Sequence, residues 1–284
     1  MRKLWIAILA IVSLGALAGV ALAANTYEVH LAKNSPNKKG TMKKPVPASL
    51  DFGYRVGDTE GKRPFVIREY RIAAEGLRSY PAARPKCTFA AATDPNVTDP
   101  NNLSAKCRKA FVGTGTIKNL AGAPNNRDTS VPCDVTLTLI NISNGDPRFP
   151  KTVKQIKKRG GIAIRIDTDP PACPIPVHEA LAAPFYDTKI ERVPTSELRF
   201  TVPDTLAHPG GLDNAVIEVT SKIQKKTGKV GTKKGVPQPN TKKGKKKKVG
   251  FYSLVGRKGK TRTTRVTFID ESGAKNTATT TFPK

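Results

Sequence analysis

The sequence predicts an all-β protein, a β-sandwich of Greek-key or jelly-roll type with long basic loops. Three observations carry that expectation. Apolar residues recur at period two in segment after segment, enough for roughly ten to twelve strands. Glycine and proline, 23 of each among 284 residues, accompany many Thr and Val, a composition that favours strands and turns over helices. No strongly amphipathic long helix separates the strands, which disfavours a parallel α/β sheet with crossover helices.

The first element is not a strand. Arg2 and Lys3 precede an uninterrupted apolar run from Leu4 to Leu22, closed by Ala21-Leu22-Ala23-Ala24. Charge, apolar core and small residues in that order are the pattern of a secretory signal peptide, residues 1–24, with cleavage after Ala23 or Ala24. An uncleaved anchor is the other reading, because the run approaches the ~20 residues that span a bilayer. Its alanines and glycines weaken that reading, and no transmembrane span is expected in the mature chain. Cleavage leaves 47 basic against 22 acidic residues, a net charge of +25 with His neutral. The remainder, 25–284, reads as one secreted β-rich domain in which 228–248 is a flexible lysine-rich loop.

Strand signals then follow in order. Thr26–Leu31 places Tyr27, Val29 and Leu31 on one side, and Lys33–Pro47 is a polar connection. Leu50, Phe52, Tyr54 and Val56 keep strict period two. Strand character resumes over Pro64–Leu77, and the stretch from Tyr80 to Ser104 is broken by Pro, Asn and Asp into irregular structure. Ser104–Phe111 has room for two helical turns at most. Phe111–Ile117 is a strand relieved by Gly113 and Gly115; without a third glycine or a Gly-Lys-Ser/Thr ending, this pair is a bend rather than a nucleotide loop. The clearest strand is Cys133–Asn141, with Val135, Leu137 and Leu139 opposite Asp134, Thr136 and Thr138. Gly145–Arg159 is a basic connection with a weak helical face at Val153 and Ile156. Gly161–Asp167, Glu197–Val202 and Asn214–Ile223 read as strands, and Ala180–Val193 is ambiguous. Val249–Val255 recovers strand signal, and Thr261–Ile269 and Asn276–Phe282 form a terminal hairpin that closes the fold.

The four cysteines, Cys87, Cys107, Cys133 and Cys173, suit two disulfides in an exported chain. Of three possible pairings, Cys87–Cys107 with Cys133–Cys173 keeps each loop local. A metal site is not expected. No two of these cysteines have the short spacing of zinc ligands, and His30, His178 and His208 lie far from them in sequence.

With these residues in view, the chain resembles a set of exported, functionally uncharacterised proteins of high-GC Gram-positive bacteria, of actinobacterial type. The resemblance is carried by Cys87-Thr88, by Cys107-x-x-x-Phe111-Val112-Gly113-x-Gly115, and by Cys133-x-Val-x-Leu-x-Leu-x-Asn141. The ending Arg265-Val-Thr-Phe-Ile-Asp-Glu-Ser-Gly273, followed by a Thr/Ala-rich strand, completes it. It implies secretion and a shared cysteine framework, and it implies no reaction.

Catalytic constellations are missing from the pattern, and no catalytic residue or cofactor is expected. There is no Gly-x-Ser-x-Gly elbow. The histidines sit in a strand (His30), after Pro174-Ile-Pro176-Val (His178), and before Pro209-Gly210-Gly211 (His208). Asp167, Asp169, Glu179, Asp187 and Glu191 supply material for a carboxylate pair of the glycosidase kind. Asp167-Thr-Asp169 starts like a calcium loop, yet Pro170-Pro171 replaces the glycine that such a loop needs.

One feature has functional content. Lys222–Arg265 holds 17 Lys or Arg and no acid, and Lys242, Lys243, Lys245, Lys246, Lys247 and Lys248 put six charges into seven residues. Such a run repels itself unless salt or a polyanion screens it. Aromatics do not interleave it, so specific nucleic-acid reading by stacking is not expected. The expectation is a secreted, non-enzymatic protein, extracellular or of the cell envelope, that binds anionic wall polymer or acidic polysaccharide through these lysines. The alternatives are a polysaccharide-active hydrolase and a carbohydrate-binding module. The latter is weakened because Trp5, the single tryptophan, leaves with the signal.

Overall fold

Each period-two segment finds an antiparallel partner. The computed structural model describes residues 24–31, 40–256 and 261–282; the expected export segment lies outside them except for Ala24. Its strands are β1 (Asn25–Leu31), β2 (Val46–Ala48), β3 (Leu50–Asp58), β4 (Ile67–Ala74), β5 (Leu77–Ser79) and β6 (Phe111–Gly122). Next come β7 (Val131–Pro132), β8 (Val135–Ile142), β9 (Gly161–Thr168), β10 (Val177–Ile190), β11 (Val193–Thr201) and β12 (Asp213–Ile223). The chain ends with β13 (Thr227–Lys233), β14 (Val236–Pro237), β15 (Lys246–Gly250), β16 (Tyr252–Leu254), β17 (Arg262–Asp270) and β18 (Lys275–Phe282).

One large antiparallel sheet runs β1-β3-β12-β6-β8-β9-β10-β11-β4-β17-β18, and β7 adds a short edge to β6. The all-β class is therefore observed, and the layering takes the form of a single sheet curled on itself. The bend is built by β10. Its first half, Val177–Pro184, pairs with β9, and its second half, Phe185–Ile190, pairs with β11. A strand that changes partner at a bend is how a sheet turns a corner. The segment from Ala180 to Val193, ambiguous in sequence, is thus the corner of the fold. The sheet's two ends, β1 and β18, come side by side, and no ladder joins them among the described residues. Tyr27 stacks on Phe268 across this seam, with ring centroids 4.5 Å apart. The terminal hairpin, β17 and β18, lies at this seam, where the sheet is nearly closed into a barrel.

Inward-facing residues of both halves form the main core: Phe52, Tyr54, Leu137, Leu139, Ile164, Tyr70, Val266 and Phe268 are all buried. A small sheet, β2-β16-β5, floors one end with Tyr252 and Leu254.

A second core lies outside the barrel wall. Residues 87–110 fold over the outer face of β8, β9 and β10, so Phe89, Leu103 and Ala110 pack on Ile140, Ile142, Ala163 and Ala180. That cover explains why every residue of β9 is buried. Cys87 pairs with Cys107 at the base of the covering segment, and Cys133 pairs with Cys173 beside Ala121. Removing the first bridge as the Cys87→Ala/Cys107→Ala pair should cost about 3 kcal/mol, from the entropy of its closed loop. Chemical unfolding of the protein with and without the pair checks this.

The segment 228–248, expected as a flexible loop, is instead a small sheet in the order β14-β13-β15. The sequence pattern missed it because its two longer strands, β13 and β15, bury one valine each, Val230 and Val249, which meet Tyr80, Ala82 and Ala83. Two apolar residues are too few to mark a period. Close backbone packing does the rest. A Cβ on Gly228 would lie 1.6 Å from the Ala83 carbonyl oxygen. Gly228→Ala should therefore destabilise the fold by about 2 kcal/mol through overpacking, read as a lowered urea midpoint.

Candidate polyanion interface

The basic surface is built on β13 and β15, which pair Thr227 with Gly250 through Gly231 with Lys246. Residues opposite each other in an antiparallel ladder share a face. Val230 and Val249 point inward, so Lys229, Lys246 and Lys248 project outward together. All three are exposed. Lys229 lies directly opposite Lys248, a like-charge pair that costs the isolated sheet some tenths of a kcal/mol. Lys242, Lys243 and Lys245 are exposed in the connection that leads into β15, and Lys247 is half-buried beside Val230. Among the described residues, none of the six lysines from Lys242 to Lys248 forms an ion pair.

This connection is fixed in place by its backbone. The Gly231 amide donates to the Thr241 carbonyl and the Gln238 amide to the Gly231 carbonyl, each at 2.8 Å. The Ala82 amide donates to Pro239. Asn240 provides the main anchor: its Nδ2 donates to the carbonyls of Ile156 (3.2 Å) and Lys157 (2.7 Å).

Those carbonyls belong to the end of a helix, Pro150–Arg159. The helix begins with proline at its first position and stops at Gly160, whose φ of 81° a side chain would resist. Ile156 is buried and Lys151, Lys154, Lys157 and Lys158 are exposed. Its last turn carries Lys157, Lys158 and Arg159, which suits the negative pole of the helix dipole. Asn240 therefore joins two basic elements that are far apart in sequence. Sequence reading found the lysine run, and in place of the helix only a basic connection, Gly145–Arg159, with a weak helical face. It had no signal that Asn240 would bring them together.

Lys86 lies behind this surface and donates to Asn240 Oδ1. Burial, and then the Lys242 charge, lower its pKa below that of an ordinary lysine. Lys86 thus gives up its proton more readily folded than unfolded, and the fold gains stability as pH rises through the folded-state pKa, the gain being complete above the unfolded value. Lys242→Gln should raise the Lys86 pKa, as followed by side-chain NMR titration.

The carboxylates considered from sequence are placed elsewhere and are mostly engaged. Asp167 lies six residues beyond Gly161 on β9, roughly 20 Å along the strand, and binds Arg165 Nε at 3.0 Å through each oxygen. His178 sits between Asp167 and Asp169, with both ring nitrogens 3.2 Å from a carboxylate oxygen. His208 sits likewise between Asp213 and Glu271. Both histidines line one open depression with Glu179, Asp204 and Thr205, where Thr205 donates to Glu179. Each of these four ring nitrogens faces a carboxylate oxygen. Asp187 is held by Arg78 and Arg159, and Glu191 is exposed in the turn between β10 and β11, with φ of 49°. His30 lies over Gly53. Among the described residues no three His, Cys, Asp or Glu are grouped to hold a metal ion, and no helix is long and apolar enough to cross a membrane.

No protein-family model, curated protein or solved structure matches this chain.

Proposed function

We propose that this chain is an exported, non-enzymatic β protein of the cell envelope or its surroundings, and that it docks on anionic polymer through the lysine sheet. One observation carries the reading: Lys242, Lys243, Lys245, Lys246 and Lys248 are exposed on an anchored backbone beside Lys157 and Lys158, and among the described residues no acid pairs with the lysines of 242–248. Holding like charges together costs free energy in the free protein, and a polyanion recovers it. Two disulfides fit an oxidising compartment, in keeping with the export pattern of 1–24. The polymer's chemistry is a repeating phosphodiester, as in wall teichoic acid, or a repeating uronate. Lysine acts as a point charge and discriminates poorly between the two.

The test is retention on immobilised teichoic acid and on polygalacturonate. The six lysines from Lys242 to Lys248 are replaced by glutamine, which leaves the backbone anchors in place. Wild type should elute only at raised salt and the variant near the void. Elution of both at the same salt concentration overturns the proposal.

A further inference from the structure

Lys86 and Asn240 meet on backbones that are fixed on both sides. Before Lys86, the Pro85 carbonyl accepts from Asn141 Nδ2 at 2.8 Å. After it, the Cys87 amide donates to the Asn141 carbonyl at 2.9 Å, and Cys87 is bridged to Cys107. Asn240 is held in the same way. The Pro239 carbonyl accepts from the Ala82 amide and the Thr241 carbonyl from the Gly231 amide. Asn240 Nδ2 itself donates to the carbonyls of Ile156 and Lys157. An amine and a carboxamide therefore face each other with little freedom left to either backbone, the condition under which a slow reaction between two groups gains most from proximity.

The electrostatics of Lys86 suit a nucleophile. It is half-buried, its Nζ donates to the uncharged Asn240 Oδ1, and among the described residues it forms no ion pair. Burial, and then the Lys242 charge, make its ammonium hold the proton less firmly than an ordinary lysine does. An ammonium withdrawn from water without a counter-ion costs free energy. The unprotonated amine escapes that cost and carries the lone pair that attacks a carbonyl carbon, and a lysine set beside a second cation is activated in this way.

We propose that Lys86 and Asn240 join spontaneously in an isopeptide bond between Nζ and Cγ. The amine lone pair forms the Nζ–Cγ bond. The Cγ–Nδ2 bond breaks and its electron pair leaves on nitrogen, which takes one proton from the attacking amine and departs as ammonia. No oxidant, metal or second substrate enters the balance. The product amide keeps one N–H for the Ile156 and Lys157 carbonyls, and the half-buried charge is gone. The bond ties the base of the covering segment 87–110 to the connection that carries the lysine sheet, across 154 residues of sequence. The Lys86 amine titrates only until the bond forms.

The test is mass spectrometry of the protein after several days folded at neutral pH. Lysine and glutamine residues have nearly the same mass, so Lys86→Gln is a standard for the wild-type chain wherever the two begin. Wild type should be lighter than this variant by about 17 Da, one ammonia. After reduction, alkylation and trypsin, wild type should give one branched peptide, 79–106 joined to 235–242 through Lys86 and Asn240. Lys86→Gln and Asn240→Ala, which remove opposite partners, should give only linear peptides. The wild-type peptide map decides the question even where a variant fails to fold. Equal masses overturn the proposal, whether neither chain or both have lost ammonia; the second case is ring closure at an asparagine, such as Asn144 before Gly145. Recovery of 79–86 and 235–242 from wild type as separate, unmodified peptides overturns it as well.

Discussion

Exchanging the six lysines from Lys242 to Lys248 for glutamine is expected to weaken binding to teichoic acid about a thousandfold at low salt. Near an anionic surface each Lys contributes about 1 kcal/mol. Lys247 is half-buried and points toward Val230, so fewer than six make full contact, and a total of ~4 kcal/mol corresponds to three powers of ten. The effect should shrink steeply as salt shortens the screening length, about 10 Å at 0.1 M. The fold should survive, because the connection is held by Asn240, by backbone bonds to Gly231 and by Val230 and Val249. Deleting Thr241–Lys248 would be a poorer experiment, since it removes the Thr241 carbonyl that Gly231 uses and most of β15 with the charges.

Arg165→Met should destabilise the protein by about 4 kcal/mol, a loss seen in chemical unfolding. Arg165 is fully buried between the barrel wall and the covering segment 87–110. Its guanidinium binds both oxygens of Asp167 and the carbonyls of Ala92, Asp94 and Val97. Methionine keeps much of the volume but leaves Asp167 buried beside His178 alone, with three carbonyls losing their donor. Breaking one side of a buried pair costs about 3–5 kcal/mol. Removing both charges, as Arg165→Met with Asp167→Leu, should recover part of the loss. The coupling between the two sites, taken from the double-mutant cycle, should exceed 1 kcal/mol.

The strands of the barrel were legible because most have one face inside and one outside, as in Leu50–Val56 and Asn214–Ile223. Legibility failed where that condition failed. β10 changes partners halfway and is rich in alanine, so its period is blurred. β13 and β15 bury one valine each. Gly161–Asp167 reads as a strand, and nothing local reveals that residues 87–110 fold over its Arg165. The lysine run was visible as charge. Its fixed backbone, its link through Asn240 to the helix Pro150–Arg159, and the depressed Lys86 are products of tertiary contact. The carboxylates suggested as a catalytic pair were visible only as composition, and the structure engages most of them with arginine or histidine.

The most direct test of the charged-surface account is the footprint of a bound polyanion. With polyphosphate of defined length added to the protein, NMR perturbations should fall on Lys229, on Lys242–Lys248 and on Lys157–Lys158, and should leave the depression around His178 and His208 unchanged. A footprint centred on that depression, or perturbations scattered over basic residues without regard to the lysine sheet, would contradict it.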